Sequence, residues 1–166
     1  QHWFVMSSLH RILYGLLLLA SSMSIASEAN PQSNERRIAL TIDDLPWVMN
    51  RNEPPHNLEA HYGRFLASLK QSGVPAIGFV NDGKLYEHET LRPERINMLD
   101  KWLDAGFELG NHTAWHSDLH ATGLRAFEQD ILAGERHLRP LLAKRGLKPR
   151  WFRHPFLRTG RSQEDK

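Results

Sequence analysis

Ile38-Ala39-Leu40-Thr41-Ile42 is a short apolar, partly β-branched run, and it ends on two acids, Asp43-Asp44. A run of this kind reads as a buried strand whose last residues emerge from the sheet. Working outward, residues 57–70 place Leu58, Tyr62, Phe65, Leu66 and Leu69 on one helical face, with Gly73 as the stop. Residues 76–80 (Ala-Ile-Gly-Phe-Val) form a second buried strand, followed by the turn residues Asn81-Asp82-Gly83. Residues 93–105 read as a helix with Pro93 in its first turn, Ile96, Leu99 and Leu103 inward, and Gly106 beyond its end. Residues 107–110 are a short third strand. A longer helix is expected from a Thr122 cap to Gly146, with Leu124, Phe127, Ile131, Leu138 and Leu142 on one stripe. Residues 150–153 form a fourth strand.

Strands alternating with helices predict an α/β fold: a parallel β/α repeat, either a barrel or a doubly wound sheet. Composition agrees with one soluble domain. The 166 residues are 40% hydrophobic and 24% charged, which opposes a disordered chain and a multispan membrane protein. A net charge of +2 gives no electrostatic case for a nucleic-acid partner. Cysteine is absent, which excludes disulfides, thiolate catalysis and Cys-held metals. Any metal must sit on His and carboxylate.

The N-terminus has its own character. Arg11 precedes an apolar run from Ile12 to Ala20, and Ser24-Ile25-Ala26 fits a cleavage site. Residues 1–26 therefore read as a secretory signal peptide and 27–37 as a polar linker, with the folded domain over 38–166. The apolar run is short of the ~20 residues of a spanning helix. The expectation is a secreted or periplasmic protein without a stable membrane anchor after cleavage.

In parallel α/β folds the reactive residues gather at the C-terminal ends of the strands. Here those ends carry Asp43-Asp44, then Asn111-His112-Thr113-Ala114-Trp115-His116, then Arg153-His154-Pro155-Phe156. Alone, adjacent acids also describe a solvated turn, and two histidines four apart also describe a surface pair. Adjacent side chains of an extended strand point opposite ways, so one acid could face a metal and the other a substrate or water. On a helical turn, His112 and His116 would share a side. Two imidazoles and one carboxylate make a three-ligand site with an open position, the pattern of hydrolytic zinc, and they also suit non-haem Fe(II). The β/α alternation opposes the fold of the usual Fe(II) oxygenases. His120 reads as a surface histidine, Arg153 as an ion-pair partner, and His154 as either structural or substrate-facing. The glycosylation sequon Asn111-His112-Thr113 is set aside, because a glycan would obstruct the site.

Together these segments resemble the polysaccharide deacetylase family, also called the NodB homology domain or carbohydrate esterase family 4. Its Thr-Phe-Asp-Asp-Gly motif is similar to Thr41-Ile42-Asp43-Asp44-Leu45, its His-(Ser/Thr)-x-x-His motif to His112–His116, and its Arg-x-Pro-Tyr motif to Arg153-His154-Pro155-Phe156. The resemblance implies a partial distorted (β/α) barrel with about four strands present. It implies Asp44, His112 and His116 as ligands of a divalent metal, most simply Zn²⁺, and Asp43 as catalytic base. Arg153 would hold Asp43, and the Phe156 backbone N–H would help bind an oxyanion. The implied activity is removal of acetyl groups, through amide or ester hydrolysis, from an acetylated carbohydrate. Leu45 and Ile42 depart from the family pattern. Two later family motifs, an acidic one and a Leu-x-His one that supplies the general acid, are not found. The chain thus reads as an N-terminal portion of such a domain, with low turnover expected of it. The alternative is a non-catalytic metal- or carbohydrate-binding fragment.

Overall fold

A computed structural model of the chain describes residues 38–47 and 55–160. The leader and linker assigned to residues 1–37 lie outside the described residues. Strand β1 (Leu40–Leu45) pairs in parallel with β2 (Ala76–Val80), and β2 pairs in parallel with β5 (Glu108–Asn111). The order β1-β2-β5 follows the chain, with a helix in each connection. Helix α1 (Pro55–Ser72) links β1 to β2, and α2 (Pro93–Asp104) leads into β5. The fourth expected strand makes a single parallel bridge, Asn111 to Phe152, with Asn111 N–H donating to Trp151 O at 2.8 Å and Arg153 N–H to Asn111 O at 3.0 Å. The result is a partial, open parallel β/α arrangement.

The apolar periodicity explains the helices. Leu58, Tyr62, Leu66 and Leu69 of α1 are buried, as are Met98, Leu99, Trp102 and Leu103 of α2. These side chains and the strand residues Leu45, Ala76, Val80 and Leu109 form one core. Two polar links tie its edges. Tyr62 Oη donates to Met98 O at 2.8 Å, and Trp102 Nε1 donates to Glu108 O at 2.8 Å. Burial pushes the Tyr62 phenol up, so it remains a donor.

Two segments depart from expectation. After β2 comes a 3₁₀ turn (Asp82–Leu85) and a small hairpin of β3 (Tyr86–Glu87) and β4 (Thr90–Leu91), where the sequence suggests only a turn. The buried Arg95 guanidinium braces it, donating to Lys84 O at 3.0 Å and Tyr86 O at 2.6 Å. The long helix expected from Thr122 to Gly146 is instead three pieces: α3 (Leu119–Thr122), α4 (Leu124–Ala133) and α5 (Leu138–Ala143). Thr122 closes α3 rather than capping a helix; the cap is Asp118, which accepts from His120 N–H. The break between α4 and α5 has a packing cause. A Cβ on Gly134 would lie 2.3 Å from Asn111 Oδ1 and 2.8 Å from Thr113 C, so only glycine lets this turn press against the end of β5. The buried Asp82 then fixes His137, the residue before α5, accepting from its N–H at 3.0 Å.

A candidate metal centre at three strand ends

At the end of β5, buried side chains hold the loop that carries both histidines. His112 and His116 do not share a helical turn; they lie on a loop in which Thr113 (φ 65) and His116 (φ 57) are left-handed. Asp130 of α4, itself buried, holds that loop. Its Oδ1 accepts from Ala114 N–H (3.2 Å) and Trp115 N–H (2.9 Å), and its Oδ2 accepts from Ser117 N–H (3.2 Å). Asn111 Oδ1 accepts from Thr113 N–H at 2.7 Å while its Nδ2 donates to Ile131 O at 2.9 Å. Asn81 Nδ2 donates to His112 O at 2.6 Å. With Asn111 buried and engaged, the sequon that begins there is closed to modification.

His112 is only 2% exposed, and its Nδ1 lies 2.8 Å from Arg153 O. A carbonyl can only accept, so Nδ1 carries the proton and Nε2 is left with its lone pair. Such a backbone partner is the usual orienter of a metal-binding imidazole. Burial holds His112 below its ordinary pKa, outweighing the opposing pull of the Arg153 carbonyl and of Asp43. His116 packs edge-on between the His112 ring (4.9 Å) and the Phe156 ring (4.6 Å).

The acids at the end of β1 turn toward this pair. The register shifts between Ile42 and Leu45, and Asp44 has φ 68. The bulge suspends the strict alternation of a flat strand. Both carboxylates consequently face imidazoles: Asp43 Oδ2 is 4.0 Å from His112 Nε2, and Asp44 Oδ1 is 3.8 Å from His116 Nε2. Asp44, His112 and His116 each offer one ligand atom, all within 4.8 Å of one another. Ligands bonded at ~2 Å to a shared ion lie ~3–4 Å apart, so a contraction on the order of 1 Å completes the fit. Two neutral nitrogens and one carboxylate oxygen are the right donors for a divalent transition metal.

Arg153 joins the regions. Its Nη1 donates to Thr41 Oγ1 at 2.5 Å and lies 3.5 Å from Asp43 Oδ1, while its carbonyl receives His112 Nδ1–H. Phe156 is also left-handed (φ 56), in a short turn that places its ring on His116. His154 packs structurally, stacked on Phe127 at 5.4 Å and edge-on to Phe152 at 4.9 Å, and burial lowers its pKa. His120 is half-buried rather than on the surface and stands outside the cluster. Lys84, unremarked in the sequence, places Nζ 3.0 Å from Asp44 Oδ1 and 3.2 Å from Asp44 O. Asp130 is a further contributor the sequence did not single out, and Asn111 and Asn81, read there as a sequon residue and a turn residue, brace the histidine loop. The only signal at Asp130 was a polar side chain beside an apolar segment.

The sequence profile of the polysaccharide deacetylase family matches residues 30–164. Among solved structures, the chain is similar to peptidoglycan deacetylase PdaC from Bacillus subtilis, with 24% identity and a TM-score of 0.55, covering 79% of this chain and 54% of that one. It is similar to a CE4 family pseudoenzyme from Bacillus anthracis, with 21% identity, a TM-score of 0.56, and coverage of 75% and 37%. It is also similar to the Xyl-CE4 domain of a multidomain xylanase from the hindgut metagenome of Trinervitermes trinervoides, with 18% identity, a TM-score of 0.54, and coverage of 74% and 50%. These likenesses show a shared fold, and the chain spans about half or less of each relative's length. The profile match covers most of the sequence, and on that ground the protein belongs to the polysaccharide deacetylase family.

Proposed function

We propose that the protein is a metal-dependent hydrolase that removes acetyl groups from an N- or O-acetylated polysaccharide or oligosaccharide. The observation that carries this reading is the meeting of Asp44, His112 and His116, with Asp43 and Arg153 beside them. Asp44 Oδ1, His112 Nε2 and His116 Nε2 would hold the ion, with Zn²⁺ the proposed identity because three protein ligands and an open position are its hydrolytic pattern. A bound divalent cation supplies a water of lowered pKa and polarises the acetyl carbonyl.

The chain's own groups would serve the attack on the acetyl carbon, and the proton that Asp43 removes from the water would pass to the leaving amine or alcohol as its bond to that carbon breaks. Asp43 takes the proton of the attacking water, and Arg153 Nη1, on its other oxygen, keeps that carboxylate aimed. The backbone N–H of Phe156 meets the developing oxyanion, a contact worth ~3 kcal/mol for one donor. Its contribution is from the backbone, so Phe in place of Tyr is tolerated. The leader over residues 1–26 would carry the protein to the periplasm or outside the cell, where acetylated glycans occur.

A second reading, a metal-binding module without catalysis, is favoured by one observation: a similar fold belongs to a pseudoenzyme. Asp43→Asn separates the two. It should keep Zn²⁺ binding by calorimetry and stop acetate release from N-acetylglucosamine oligomers or acetylated xylan. Acetate release by the variant at the wild-type rate removes Asp43 as base; no release by the wild-type protein loaded with Zn²⁺ favours the module.

A further inference from the structure

The opposite ends of the strands hold a second cavity. The metal centre lies past the C-terminal ends of β5 and the segment 150–153; a cleft of about 280 Å³ opens at their N-terminal ends. Leu103 at the end of α2, Phe107 and Leu109 around the start of β5, and Leu142 of α5 line it, and all four are buried. Its mouth is apolar too: Leu147 and Trp151 are 50% and 37% exposed. From Phe107 to His112 the extended chain advances roughly 16 Å at ~3.3 Å per residue, so the cleft is separate from the metal centre.

The walls are fixed. Trp151 Nε1 donates to Glu108 Oε2 at 2.6 Å, the Trp151 carbonyl accepts from Asn111 N–H at 2.8 Å, and the Arg150 guanidinium covers the indole at 5.1 Å. Leu147 N–H donates to Leu142 O at 3.0 Å, which ties the loop after α5 back to its helix. Three cations join the lining: Arg145, Lys148 and Arg150. Arg145 is committed to α2, with Nη1 donating to Asp100 Oδ1 at 2.9 Å and Nη2 paired with Asp104. Arg150 lies 3.8 Å from Glu108 Oε2. Lys148 alone of the three has no acid partner among the described residues. No Asp or Glu occurs from residue 136 to residue 160, so its own stretch of chain supplies none.

We propose that this cleft binds a small amphipathic monoanion, a medium-chain carboxylate, with its hydrocarbon body against Leu103, Phe107, Leu109 and Leu142 and its head on Lys148. The volume sits at the low end of the ~300–1,000 Å³ usual for ligand pockets, which is room for a short chain and not for a polymer. The apolar lining disfavours a fully hydrated ion such as phosphate, because burying a charge without enough partners is costly. A neutral hydrocarbon gains nothing from Lys148. One unpaired cation sets the ligand's charge at a single negative, and an ammonium on a carboxylate makes a charge-assisted hydrogen bond. Arg150, held only at 3.8 Å by a half-exposed Glu108, stands beside it for the second carboxylate oxygen. Residues of α2, β5 and α5 meet in the lining, so an occupied cleft braces the end of the sheet opposite the metal. The cleft shares no residue with the metal centre and stands or falls independently of the hydrolase reading.

The experiment is calorimetry on the full chain with octanoate, octanol and octylammonium, in the presence of a chelator so that no carboxylate coordinates an ion. Octanoate should bind most tightly. Octanol should bind about fivefold more weakly, the upper scale of an exposed ion pair, and octylammonium more weakly still. Lys148→Met keeps an apolar stem; it should bring octanoate to the affinity of octanol and leave octanol unchanged. Leu147→Glu, at a half-exposed position, sets a like charge at the mouth and should weaken octanoate more than octanol. Separate Zn²⁺ titrations of both variants should match wild type. No octanoate binding at millimolar concentration overturns the site, as does equal affinity for octanoate and octanol, or octanoate affinity unchanged in Lys148→Met. Failure of the wild type to bind Zn²⁺, with octanoate binding still weakened in Lys148→Met, overturns the metal reading and leaves this cleft standing.

Discussion

The ends of β1 and β5 supply the same site by opposite means. At β5 the imidazoles sit on a loop whose backbone donors are satisfied inside the protein by Asp130, Asn111 and their neighbours. At β1 the side chains of Asp43 and Asp44 are 38% and 33% exposed, and their partners are the half-exposed cations Arg153 and Lys84. Exposed ion pairs contribute roughly 0–1 kcal/mol, whereas a buried donor that loses its acceptor costs ~1–3 kcal/mol. The imidazole pair is thus set by folding, before any ion arrives. The carboxylates are set loosely and can close onto one. A rigid half and an adjustable half together accommodate an ion without rebuilding the sheet.

The largest effect should come from breaking the rigid half. Asp130→Ala strips the sole acceptor given for two backbone N–H groups of the histidine loop, Trp115 and Ser117, and one of the two acceptors of Ala114 N–H, which keeps the residue-130 carbonyl at 3.1 Å. About 3 kcal/mol of stability should be lost in denaturant unfolding, and Zn²⁺ affinity should fall 10–100-fold, the scale of losing an orienting partner. Asp130→Asn, which retains one oxygen, should lie between. A loss under about 0.5 kcal/mol with unchanged Zn²⁺ affinity would mean that the loop is not held by this carboxylate, and the contrast between the two ends would fail.

The same contrast explains what the sequence disclosed. Residues chosen by periodicity were legible: β1, β2, β5, α1, α2 and the buried faces of both helices follow from apolar spacing, and the site residues from their place at or just past strand ends. Residues chosen by three-dimensional satisfaction were not. Asp130 lies in a helix, where an acid reads as a solvated face, and only the fold brings it under a loop 13 to 16 positions away. Gly134 reads as a mid-helix glycine; its role appears only once Asn111 and Thr113 are packed against it. The alternation rule separated Asp43 from Asp44, and the bulge at Asp44 brought them back together. The helical spacing of His112 and His116 indicated the right pair by the wrong local geometry, because a loop with two left-handed residues also brings positions four apart to one side.

A smaller effect tests the adjustable half. Lys84 Nζ sits on the Asp44 oxygen that faces His116, so an arriving cation meets a resident positive charge. Lys84→Met should change stability by less than about 1 kcal/mol and tighten Zn²⁺ binding by up to about tenfold, with most of the gain at low salt, where repulsion is least screened. Weaker binding in this variant would instead make Lys84 an organiser of Asp44, and the β1 end would be as preset as its neighbour.

The smallest effect is a slope with pH. Burial holds both His112 and His154 below the ordinary histidine pKa in the folded protein, although a backbone hydrogen bond opposes it in each. In the unfolded chain both return to about 6.5. As pH falls through that value the unfolded state takes up protons first, so the metal-free protein should lose stability until the folded pKa values are passed. Above about pH 7 these two groups should contribute no slope. Each can add at most about 1.4 kcal/mol per pH unit. His154→Leu removes one titrating group without touching a ligand atom, since His154 packs against Phe127 and Phe152 and hydrogen-bonds the Arg158 backbone. Urea unfolding between about pH 7 and pH 5.5 should therefore give a shallower slope for that variant than for wild type. His112→Asn should lower it further, because His112 is the more deeply buried of the two. Equal slopes in all three proteins would show that neither imidazole is kept neutral by burial, and the β5 end would then lack the dry interior on which its rigidity depends.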